Sequence, residues 1–188
     1  MKSKRFTPAI ACLVVCLAAA HATAQTVEYP LTLAASAQVT KGATTIATTF
    51  TIHLDRLIHE TFRTRVTDAL KFGGYPKFLP ALRALPSIGT IEVGARKVEL
   101  KYAREDKREK GIRLVLVADQ PLFFLPDPAK AKAGYELTVV DLNLDAKGSG
   151  TGTMAGAARV KPAPDGAVVL DDFAETPVEL VVRRLPGK

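Results

Sequence analysis

Residues 27–54 read VEYPLTLAASAQVTKGATTIATTFTIHL, and the alternation in this stretch decides the fold class. Over residues 27–39 every odd position is apolar or small (Val27, Tyr29, Leu31, Leu33, Ala35, Ala37, Val39), whereas Glu28, Pro30, Thr32, Ser36 and Gln38 hold even positions. Successive side chains of a strand point to opposite faces, so this predicts a strand with one buried and one wet face. Thr40-Lys41-Gly42-Ala43 reads as a hairpin turn. Ile46, Thr48, Phe50, Ile52 and Leu54 then alternate with Thr45, Thr49, Thr51, His53 and Asp55, and their β-branched content supports a second strand.

Downstream the period changes. Phe62, Val66, Ala69 and Leu70 recur at helical spacing, with Arg63, Arg65, Asp68 and Lys71 on the other side, until Gly73-Gly74 ends the segment. A second helix is expected over residues 76–85, with Phe78, Leu82 and Leu85 on one stripe and Pro80 in its first turn. The two read as a helical hairpin inserted between strands. Alternation returns at Val98, Leu100 and Tyr102, then a charged stretch over residues 104–111 (REDKREKG) reads as a solvated loop before a strand over 112–118. Four more strands are expected at 135–145, 151–160, 168–171 and 178–183, separated by the turn signals at residues 147–150 and 162–166. Short connections make neighbours antiparallel. In the 135–145 run, Tyr135, Leu137 and Val139 hold one parity and Val140, Leu142 and Leu144 the other. A β-bulge near Val139-Val140 would reconcile them, the alternative being a strand covered on both faces. The fold expected is α+β: a curved or closed antiparallel sheet of about eight or nine strands with an inserted helical hairpin.

Upstream, Lys2, Lys4 and Arg5 precede the apolar run AIACLVVCLAAA, and Ala22-Thr23-Ala24 offers a small-x-small cleavage site. This is the pattern of a signal peptide over residues 1–24. The apolar run is too short to span a membrane, which takes about 20 residues. A lipoprotein lipidated at Cys12 or Cys16 is the rival, and at Cys16 the bulky Val15 occupies the position where a small residue is needed. Residues 25–188 then form one domain, exported to periplasm or medium, with no transmembrane segment after cleavage. Both cysteines leave with the leader, so thiol catalysis is excluded and packing alone must hold the domain. Of 26 basic residues 23 remain against 19 acidic ones, a mild and scattered excess that argues against nucleic acid as a partner.

The stretch Val115-Leu-Val-Ala-Asp119-Gln120-Pro121-Leu-Phe-Phe124 resembles a recurring segment of uncharacterised exported bacterial proteins. So do residues 135–145, Gly148-Ser-Gly150-Thr-Gly152, Ala157-Ala158-Arg159-Val160 and Asp172-Phe173 with Thr176-Pro177-Val178. The likeness covers roughly residues 50–184. It implies an exported domain with no assigned activity, and it transfers no site residues.

Residues with chemical potential are few. His53, Asp55, His59 and Glu60 are metal-type ligands, but His59 and Glu60 are adjacent and Arg63 stands where H-E-x-x-H needs its second histidine. Asp141-Leu-Asn143-Leu-Asp145 imitates a calcium loop and fails at Ala146 and Gly152. Gly148, Gly150 and Gly152 lack the Walker lysine, and they predict a bare strand face approached by an aromatic side chain or the helices. Asp171, Asp172 and Glu175 form an acidic cluster whose adjacent aspartates face opposite ways on a strand. In Pro121-Leu122-Phe123-Phe124-Leu125-Pro126, three large apolar side chains cannot all face one core. The function expected is a non-enzymatic binding or interaction module for an apolar ligand or an envelope protein. Its site would lie between helices and sheet, around Phe62, Phe78, Phe123 and Phe124, with no catalytic residue and no cofactor. Two alternatives stand beside it: an envelope-associated metal-dependent hydrolase using His53 and His59, and an accessory protein acting through a sheet edge.

Overall fold

The computed structural model describes residues 27–41, 44–122 and 132–186, and in it the alternating stretch forms the first hairpin. Strands β1 (Leu31–Lys41) and β2 (Thr44–Leu54) pair antiparallel, with Leu33 opposite Ile52 and Ala35 opposite Phe50. The buried parity is the expected one: Leu31, Leu33, Ala35, Ala37, Phe50, Ile52 and Leu54 all lie in the core. The expected leader, residues 1–24, and the pair Phe123 and Phe124 lie outside the described residues.

After β2 come the helical element α1 (Glu60–Arg83), β3 (Gly89–Val93), β4 (Arg96–Arg108) and β5 (Gly111–Ala118). Then follow β6 (Leu137–Leu144), β7 (Gly150–Pro162), β8 (Val168–Phe173) and β9 (Val178–Arg184). All pairings are antiparallel, and the order β6-β5-β4-β3-β2-β1-β9-β7 closes on itself because β7 also pairs with β6. Among the described residues this is an eight-stranded barrel, with β8 paired to the part of β7 that β9 leaves free. A barrel of eight strands is narrow enough for side chains to fill. Inward residues follow one another across the ladders: Leu114 faces Leu142, then Gly152, Leu180 and Ala37. Alanine and glycine stand beside leucine and phenylalanine, so bulk alternates with space as a small barrel requires. A side chain at Gly150 or Gly152 would strike the carbonyl of Asn143 or Asp141. The close approach that these glycines permit is by the neighbouring backbone of β6, not by an aromatic ring or the helices.

Several expectations are corrected. The helical hairpin is replaced by a single element, α1, broken at Gly74, where φ is 64° and ψ −168°. Two antiparallel helices need a connecting loop of a few residues, and here one glycine separates the segments. Pro80 lies well inside the second segment rather than in its first turn, and Phe78 and Leu82 on either side of it are buried. The charged stretch 104–111 is no loop: β4 runs to Arg108 and pairs with β5 down to Gly111. Ion pairs make this possible, since Arg104 holds Asp106 at 2.7 Å along the outer face. No bulge occurs at Val139-Val140, because β6 stays in regular register with β5 from Thr138 to Leu144. Both faces are buried from Leu137 to Val140, and the irregularity falls in the ladder to β7, which accommodates the extra residue. Strand β3 is the one that periodicity missed; Gly89-Thr-Ile-Glu-Val is too short to show a pattern.

The two-sided burial has a structural cause. Tyr102, Val117, Val139 and Ala155 face one another in sequence across β4, β5, β6 and β7, on the parity opposite the barrel interior, and all are buried. Element α1 contacts β4 and β7, and its Val66, Leu70, Phe78 and Leu82 join the same core. The β7–β8 hairpin reaches the same side, where Asp165 of its turn accepts a bond from Arg104 at 3.0 Å. One half of the barrel wall therefore carries a second layer, and the opposite half, across β1 and β9, presents Ser36, Gln38, Glu179 and Val181 to solvent.

Candidate functional site

The chain leaves β2 through residues 55–59, enters α1, and returns through residues 84–88 to β3. The two connections are stitched together: the Asp55 N–H donates to the Ile88 carbonyl, and the Ile88 N–H to that of Leu100, both at 2.9 Å. His59 caps the helix, its Nδ1 accepting from the Thr61 N–H at 3.3 Å. Between the connections lies a cleft of about 250 Å³, walled by Leu57, Ile58, Phe62, Leu85, Pro86 and Ile88. His59 stands edge-on to the Phe62 ring, with centroids 6.3 Å apart, and the Arg65 guanidinium lies 5.9 Å from that ring. The ring is thus held in place while remaining only partly buried.

Lys101 supplies the polar end of the cleft. Its side chain is 9% exposed, and Nζ donates to the Leu85 carbonyl at 3.2 Å and to Glu99 at 2.6 Å. An ammonium has three N–H donors, and among the described residues two of them are satisfied by these partners. Burial pushes the nearby Asp119 carboxyl above its ordinary value of 3.8, and the charge of Lys101 works against that rise. Lys101 alternates with Leu100 and shares the strand face of Lys97 and Glu99. It is buried because the connection of residues 84–88 and α1 cover that face, and the irregular register between Leu100 and Tyr102 carries the Tyr102 ring onto it as well.

The expected residues separate. Phe62 lines the cleft, whereas Phe78 is fully buried and belongs to the core. His53 and His59 do not converge. His53 bonds Asp55 through Nε2 at 3.0 Å and Thr32 through Nδ1 at 2.9 Å, while His59 serves as a helix cap. Glu60 is held by Arg63. No group of three or more His, Cys, Asp or Glu suited to a metal occurs among the described residues, so the hydrolase alternative has no ligand set there. Asp141 is gripped by Arg113 through two bonds of 2.9 and 2.6 Å, and Asp145 closes a turn by accepting from the Lys147 and Ser149 N–H groups. Asp171 pairs with Arg159 and Lys161, and Asp172 accepts from the Tyr135 hydroxyl at 2.5 Å. Each acidic motif thus has a structural occupation.

A longer groove of about 970 Å³ crosses the bare wall, lined by Ser36, Gln38, Asn143, Thr151, Glu179 and Val181 among others. It offers no buried polar group to orient a ligand. The helix-junction cleft does, and selective pockets combine apolar walls with a few placed polar groups. Fold and cleft together define a closed antiparallel β-barrel carrying a broken helix on one wall, with a small apolar cleft at the helix junction. No protein-family model, curated protein or solved structure matches the chain.

Proposed function

We propose that the protein is an exported, non-enzymatic binding module that holds a small ligand with an apolar body and one hydrogen-bond-accepting end. The observation that carries this reading is the pairing of the apolar cleft with the buried Lys101 ammonium, which has a donor to spare among its described partners. Leu57, Ile58, Phe62 and Ile88 would cover the ligand body. Burying apolar surface stabilises by roughly 25 cal/mol per Å², so a short aliphatic chain suffices for measurable affinity. The charged donor gives direction, because a bond to an ionised partner is about twice as strong as a neutral one. Export is supported by the leader pattern of residues 1–24 and by a chain that keeps no cysteine beyond it.

Octanoate is a suitable probe. Titration should raise the melting temperature in a saturable way, equivalent to about 2.7 kcal/mol at a hundred times the dissociation constant. Phe62→Ala and Lys101→Met should each weaken octanoate binding at least tenfold while still unfolding cooperatively. A wild-type protein indifferent to octanoate, or variants that bind it as well as wild type, would remove the cleft as the site.

A further inference from the structure

The break in α1 forms a projecting knuckle. Lys71, Phe72, Gly73 and Gly74 are all exposed, as are Pro76 and Lys77 beyond the turn, and Phe72 stands 78% exposed. Large aromatic side chains are ordinarily buried because leaving them in water is costly, and the core offers nothing to this one. The knuckle has a defined shape. Gly74 takes a positive φ that only glycine adopts readily, and the Lys77 stem packs so closely on Gly73 that any side chain there would displace it. The Lys71 ammonium lies 5.2 Å from the Phe72 ring. One ring is therefore presented between two lysines whose stems are part of the same surface.

Along the sequence the charge of this segment has one sign. No acidic residue occurs between Asp68 and Glu92, while Lys71, Lys77 and Arg83 all fall in that interval. Two carboxylates approach the knuckle. Asp68 lies one turn earlier on α1, and Glu136 is engaged by the Tyr75 hydroxyl at 2.6 Å and the Gly134 N–H at 3.0 Å. A stable protein partner would need about 800 Å² from each side, far more than a single ring and two lysine stems supply. A lipid interface asks for less: an aromatic ring at headgroup depth and cations whose stems extend along the apolar boundary.

We infer that the knuckle of residues 71–77 docks the protein on an anionic membrane surface, with Phe72 entering the interface and Lys71 and Lys77 meeting lipid phosphates. Each lysine near such a surface raises affinity roughly fivefold. The contact is weak and reversible, and it is independent of the cleft.

The chain contains no tryptophan, so Phe72→Trp places a single fluorescent reporter at the tip, at a site too exposed to disturb folding. With vesicles of mixed phosphatidylglycerol and phosphatidylcholine its emission should shift to the blue and be quenched by brominated acyl chains. Vesicles of phosphatidylcholine alone should leave it near its value in buffer. Adding Lys71→Gln and Lys77→Gln should lower the apparent affinity by tenfold or more with an unchanged thermal melt. Trp emission unmoved by anionic vesicles, moved equally by neutral ones, or undiminished by loss of both lysines would overturn the inference.

Discussion

Two phenylalanines of the same helix show how burial decides a residue's role. Phe78 and Phe62 both occupy apolar positions of α1, but Phe78 is wholly enclosed and Phe62 keeps one side open to the cleft. Truncating an enclosed ring loses its transfer energy and leaves a cavity, so Phe78→Ala should cost about 3–5 kcal/mol. Whole domains are stable by only about 5–15 kcal/mol, and that variant should be close to unfolding. Phe62→Ala should cost less than about 2 kcal/mol, since its open side is already solvated. Urea midpoints of the two variants test the distinction, and equal losses would place Phe62 in the core. The sequence reading grouped these rings because spacing reveals which face of a helix is apolar. It carries no information about how deep each position on that face lies.

At the scale of elements, α1 is tied to the segment that leads into β6 through Tyr75, whose hydroxyl donates to Glu136 at 2.6 Å and accepts from the Glu136 N–H at 3.2 Å. Burial alone would raise the Glu136 carboxyl, but hydrogen bonds from Tyr75, Gly134 and its own N–H hold it below its ordinary 4.5. Burial and the same bond push the Tyr75 phenol well above 10. A carboxyl with a lowered folded value contributes stability that is complete above the unfolded value and fades as pH falls through the folded one. Tyr75→Phe should therefore be less stable than wild type by a constant amount from pH 6 to 9. The gap should narrow below about pH 4.5 as Glu136 takes up its proton. Chemical unfolding across that range checks this, and a gap that stays constant into acid would show that the bond does not depend on the ionised carboxylate. The pairing was invisible beforehand, because Tyr75 and Glu136 are 61 positions apart.

For the whole molecule, the described chain is anchored from its first residues. Val27 is buried and belongs to the core cluster, and Tyr29 donates to Glu105 of β4 at 2.7 Å, three strands away around the barrel. Cleavage after Ala24 would leave Gln25 two residues ahead of that anchor, so the barrel would lose none of its described contacts. Mass spectrometry of protein recovered outside the cytoplasm should find Gln25 at the N-terminus. Retention of Met1, or a lipid-modified Cys16, would contradict cleavage after Ala24.

Residues 27–54 determined their own strands and their buried face, because alternation in a pleated backbone is a local property. Helical spacing over residues 62–71 and the glycines after it likewise marked a helix and its interruption without reference to the remaining chain. Closure was decided elsewhere. It depends on β1 meeting β9 and on β7 meeting β6, and the first of these joins segments nearly the whole described chain apart. The same holds for the cleft, where the connection after α1 brings the carbonyl of Leu85 over Lys101 and two connections enclose Phe62. Local periodicity assigns each side chain to a face of its own element. Only packing between distant elements determines what that face meets, because the free energy of burial belongs to the contact and not to the residue.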